Sequence, residues 1–264
     1  MKKIFLYIII AIFTANFSIA QEKIAYELPK KQLYIGFDAM IATYYLAMNT
    51  TIYEQIRKDN AYEYNQISTG NYQTQFGFVL DYRLLRRLSI TSGLKYNLVV
   101  FKLFNREPFL WFYENNSDIT SAYLAKITKI TETTHFITIP VGLKYIAHSK
   151  PNFGINLQME TLLNFRLGAN YDVSFFDKKM KSEKEKITKN FGSPENNFYA
   201  NLITSLQLRF GNENGLHVML NIDFPSFILT TYQEVFNLCK FDNIDNEPNI
   251  GCRISFLYPI NFKK

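Results

Sequence analysis

The chain of 264 residues carries three histidines and two cysteines. Most acid–base, nucleophilic and metal chemistry in proteins draws on these residue types. Their spacing here assembles none of it. His148 falls in a short polar connection, and His217 begins an alternating segment beside another such connection. His135 lies at the start of its own segment, away from the short connections, with a parity that turns it away from the polar side chains. A nucleophile needs a base within hydrogen-bond reach and a third group to orient that base, and no such set can be drawn. Cys239 and Cys252 are too few for a disulfide framework. They read as two free thiols, with a bridge between them as the alternative. There is no Cys/His cluster of metal-ligand spacing and no Gly-rich phosphate loop. The expectation is a non-enzymatic chain without catalytic residue, cofactor or metal.

Five charged residues stand out instead. Asp38, Lys95, Glu160, Asp223 and Arg253 each interrupt a segment in which apolar and polar residues alternate, and each falls on the polar side. Charges removed from water must be paired or hydrogen-bonded. The expectation is a structural cluster with Arg253 between Asp38 and Asp223. The functional alternative is a proton or ion path through the same residues.

The elements that must position these charges are eight candidate strands, at 33–43, 72–82, 88–101, 134–146, 153–166, 198–210, 216–227 and 250–262. Segment 153–166 shows the period of two most plainly. Phe153, Ile155, Leu157, Met159 and Leu163 fall on one face, with Asn156, Gln158, Glu160 and Asn164 on the other. A soluble sandwich would also alternate. Two features favour a membrane barrel. Aromatics such as Tyr82, Tyr145, Phe165, Phe210 and Tyr258 gather at segment ends on the apolar face, where interfacial girdles belong. The connections also alternate in length: 83–87, 147–152 and 211–215 are short, whereas 44–71, 102–133, 167–197 and 228–249 are long. An even-stranded barrel with both termini on one side produces that order. The fold expected is all-β: an eight-stranded, antiparallel, up-and-down transmembrane barrel with short periplasmic turns and long extracellular loops. Trp111, in the second long connection, reads equally as a recognition knob or as strand continued above the membrane.

The N-terminus supplies the address. Lys2 and Lys3 precede the apolar run Ile4 to Phe13, and Ser18-Ile19-Ala20 places small residues before Gln21, the pattern of a cleaved export signal. The division expected is a signal peptide over 1–20, a periplasmic segment over 21–32 and a barrel over 33–264, destined for the outer membrane. Net charge is +6, and the signal holds two lysines and no acid, so +4 remains. The basic residues are scattered, which with export argues against nucleic acid. The partners expected are outer-membrane lipid and, beyond it, other envelope or secretion proteins, around a monomeric barrel.

The stretch THFITIPVGLKY, with Ile139, Pro140, Lys144 and Tyr145, resembles the outer-membrane β-barrel domain family that includes PorT-like proteins. RLSITSGLKY before it and FGINLQMETLLNF after it resemble that family's neighbouring strands. The resemblance implies a small barrel with no catalytic or cofactor residues to carry over. It also suggests an accessory part in a secretion or transport assembly. Pro140 sits mid-strand, where a residue without an N–H breaks a ladder bond. A bulge or lapse in pairing is expected there.

Overall fold

The computed structural model describes residues 31–43, 52–58, 61–113, 123–189, 194, 196–224, 226–230, 235–236 and 250–260. Residues 1–30, Pro225, Cys239 and Phe262 fall outside them. The strands are β1 (Gln32–Thr43), β2 (Ile52–Lys58), β3 (Ala61–Arg83), β4 (Leu88–Tyr113), β5 (Tyr123–Lys150), β6 (Phe153–Phe175), β7 (Phe198–Phe210), β8 (His217–Asp223), β9 (Phe227–Ile228) and β10 (Ile250–Ile260). Eight of them pair antiparallel in the order β1-β10-β8-β7-β6-β5-β4-β3, and β1 pairs again with β3. The sheet is therefore a closed ring. The short β2 adds only to β3, and β9 only to β7.

Closure turns the period of two into an inside and an outside. Along β6, Gly154, Asn156, Gln158, Glu160, Leu162 and Asn164 are buried, while the residues between them are only partly covered. The outside is apolar: Phe78 is 69% exposed, Ile41 64% and Tyr258 59%. The buried set inside is largely polar or charged. Soluble folds arrange these faces the other way round.

The strands differ from expectation chiefly in length. β3, β4, β5 and β6 run well beyond the limits read from hydropathy and form a one-sided wall at the long-loop end. Trp111 pairs with Ala125 within that wall, so its backbone is strand and not loop. In contrast, β8 stops at Asp223, short of the expected 227. The other end is tight. Leu84 and Leu85 both donate to the Leu88 carbonyl, and Gly211 takes the left-handed φ of 100° that its turn requires.

Pro140 faces the lumen and is buried. It pairs with Leu162 on β6, but the β4–β5 ladder lapses between Ser92↔Val141 and Lys95↔Thr138, opposite Pro140. The lapse falls beside glycines that let strands approach closely. A Cβ on Gly36 would lie 1.9 Å from the Phe256 carbonyl oxygen, and one on Gly93 2.2 Å from that of Phe78. Gly36→Val should therefore destabilise the folded barrel by about 3 kcal/mol or more, read as a lower urea midpoint in detergent or vesicles.

Candidate functional site: a charged, filled lumen

An eight-stranded ring is just wide enough for its own side chains to fill. The inward positions fill it in layers. At the turn end, Arg83 at the end of β3 donates to Glu213 in the β7–β8 turn at 2.7 Å, and Arg209 on β7 approaches the same carboxylate at 3.3 Å. Arg209 also donates to the carbonyl oxygens of Lys150 at 2.7 Å and Phe153 at 3.2 Å, pinning the neighbouring turn. The Arg83 guanidinium lies over the Tyr34 ring, which meets His217 edge-on. Lys144 on β5 pairs with Asp81 on β3. Burial alone would raise the Glu213 carboxyl. The Arg83 hydrogen bond and charge, then Arg209 and Lys144, outweigh it and hold the group below its ordinary 4.5.

The next layer gathers all five charges singled out above. Arg253 on β10 donates from Nη1 to Glu160 Oε2 at 2.8 Å and from Nη2 to Asp223 Oδ1 at 3.1 Å. Its Nη1 stands 3.7 Å from Asp38. Lys95 lies 2.7 Å from Asp38 Oδ2, as a charge contact and not an aligned hydrogen bond. Ser205 bridges Arg253 and Asp223, and Gln158 donates to Glu160 at 2.7 Å. All five charged side chains are at most 4% exposed. Among the described residues this layer sets two bases against three acids. The layer below sets Arg83, Arg209 and Lys144 against Asp81 and Glu213. Each carries one unmatched charge, of opposite sign, so the layers attract. Between them lies a cavity of about 20 Å³ lined by Asp38, Asp81, Lys144, Gln158, Gln207 and Arg253, room for about one water.

Above the charges the lumen becomes neutral. Asn164 accepts from Thr138 at 2.7 Å and Asn97 at 3.2 Å, and donates to Asn201 at 2.9 Å. The long-loop end holds buried Glu132, with Arg166 3.9 Å away, and an aromatic cap. Phe236, from the connection between β9 and β10, packs on Phe101, Phe136 and Tyr199 with ring centroids 5.1–6.0 Å apart. Val235 and Phe236 have no exposed surface. Side chains thus occupy the bore from a charged floor to an aromatic cap.

The remaining singled-out residues spread apart. Ile139 is on the outer face and half-buried. Tyr145, expected in an exposed girdle, is 3% exposed and accepts from Arg87 at 3.3 Å. His135 is on the outer face with Tyr96 and Asn170, His148 is exposed at the turn end and His217 is buried in the floor. The three histidines share no site. No group of three His, Cys, Asp or Glu suited to a metal occurs among the described residues. Cys252 is a free thiol on the outer face.

Sequence reasoning missed the floor. Arg83, Asp81 and Arg209 sit at strand ends with little apolar rhythm to break, and Lys144 stands out only through the family resemblance of its stretch. Their shared parity with Val79 and Gln207 was the available signal. Glu213 lies in the short connection 211–215, outside every alternating segment, and nothing marks it.

Solved structures similar to this chain include two outer-membrane proteins. The outer membrane protein OprG from Pseudomonas aeruginosa is 8% identical over 88% of this chain and 95% of its own, with a TM-score of 0.40. The translocator domain of the autotransporter NalP from Neisseria meningitidis is 6% identical over 93% and 92%, with a TM-score of 0.29. No protein-family model and no curated protein matches the chain.

Two outcomes follow from the lumen. Arg253→Met leaves three buried carboxylates facing one lysine and should cost about 3–5 kcal/mol of unfolding free energy. Arg166→Met, whose side chain lies 3.9 Å from Glu132, should cost less in the same urea titration. Glu213, held low in the folded state, contributes stability above its unfolded value that is lost as pH falls through the folded one. Glu213→Gln should therefore be less stable than wild type at pH 7, with the gap closing below about pH 4.5.

Proposed function

We propose that this chain is an exported, non-enzymatic outer-membrane barrel with a structural or surface-interaction role, executed at the long-loop end. One observation carries the reading: a closed ring whose apolar face is outside and whose charges are inside. Hydrocarbon tolerates strands only where a closed barrel satisfies every backbone group internally, and it welcomes the exposed Phe, Leu and Ile that water would not. The turn end then faces the periplasm, and the wall of β3–β6 rises from the outer surface. A lumen filled from floor to cap supports anchoring over transport.

The second reading is an accessory part of a secretion or transport assembly, supported by the PorT-like stretch around Pro140 and by the one-sidedness of the wall, which offers a lateral face to a neighbour. An enzyme at the outer rim is the third reading, since among the described residues His135 bonds Tyr96 and Asn170 and no nucleophile–base set.

Cross-linking on intact cells, followed by purification of the tagged full-length chain, separates the first two readings. The leading one predicts surface labelling of the long loops without co-purified secretion machinery. Stoichiometric recovery of secretion subunits would reverse the order.

A further inference from the structure

The outer wall is not uniformly convex. Across β10, β1, β3 and β4 runs a groove of about 650 Å³, within the range of about 300–1,000 Å³ typical of small-molecule clefts. Its floor is the row Gly36, Val79 and Gly93, residues whose side chains or missing side chains point inward. The strands approach so closely at these glycines that no Cβ would fit, and the wall is dented there. The rims are Phe37, Phe78 and Leu94 on one side, and Tyr258, Ile35 and Leu80 on the other. Ser92, small and facing outward, leaves the groove open at one end.

We propose that this groove is a binding site for one acyl chain of an anionic glycerophospholipid of the periplasmic leaflet, with the headgroup phosphate held at the turn end. The proposal rests on the membrane-barrel reading above. The groove lies roughly 10 Å from the turn end, at a rise of about 3.4 Å per residue, so it opens into hydrocarbon. Directly beneath it, the β3–β4 turn carries exposed Leu84 and Leu85 at 44% and 56%, followed by Arg86. Lys31 precedes Gln32, which pairs with Arg83 at the same rim. Arg86 and Lys31 are exposed and make no ion pair among the described residues. Exposed leucines at headgroup depth beside unpaired cations match an anionic lipid: apolar contact for the chain, charge for the phosphate. A second barrel is the weaker occupant, because a convex wall cannot fill a concave furrow and a flexible chain can.

Native mass spectrometry of the full-length chain in detergent, titrated with phosphatidylglycerol or phosphatidylethanolamine, tests this. Wild type should retain one phosphatidylglycerol. Ser92→Phe, which fills the open end, and Leu94→Trp, which narrows it from an already exposed rim, should each lower retention at least tenfold. The double variant Lys31→Glu/Arg86→Glu should abolish the preference for phosphatidylglycerol over phosphatidylethanolamine. Heat-modifiable migration of each protein is read in parallel. A wild type lacking it overturns the barrel reading itself. A folded wild type that retains no lipid, or folded Ser92→Phe and Leu94→Trp variants that retain as much as wild type, overturns the groove alone. So does a wild-type dimer that either groove variant makes monomeric, since a second copy then occupies the furrow.

Discussion

Arg253 is cut off from bulk solvent. Its guanidinium is held by Glu160 and Asp223 and lies near Asp38, which Lys95 in turn approaches. These five residues come from β1, β4, β6, β8 and β10, so one network ties five of the eight ring strands through the bore. Hydrogen bonds between adjacent strands close the ring, and strand number and register set its width. The network that spans the lumen must match that width, since each carboxylate left alone would cost several kcal/mol of desolvation. The floor beneath acts likewise: Glu213 in one turn draws Arg83 and Arg209 from β3 and β7. Because each layer holds one unmatched charge of opposite sign, neither is at its best without the other.

This constraint accounts for much of the rest. A filled bore needs inward polar side chains at every second position, and the outer positions are left to apolar ones. Small residues are forced where strands must come close, at Gly36 and Gly93. The proline without a donor sits where the β4–β5 ladder has lapsed, next to one of those glycines. An edge would have served a proline as well, but a closed ring has none to offer.

The ring itself was legible because its signal is redundant. Eight segments alternate, short and long connections alternate, and β7 runs from Phe198 to Phe210 as hydropathy alone would place it. The five central charges were legible because each breaks an apolar rhythm. The wall was not. On β5, Thr131, Thr133 and His135 face out while Glu132 and Thr134 face in, so both faces are polar and the period vanishes, although the backbone ladder continues. The aromatic cap was illegible for a different reason. Phe236 belongs to no periodic segment, and its burial depends on a connection folding back into the mouth.

Side chains close the bore of this barrel along its length. The most direct test is the current through a planar bilayer after insertion of the full-length chain. The account predicts a flat baseline at moderate voltage. A steady conductance of porin size would contradict it, because no such path coexists with the Arg253 network and the Phe236 cap.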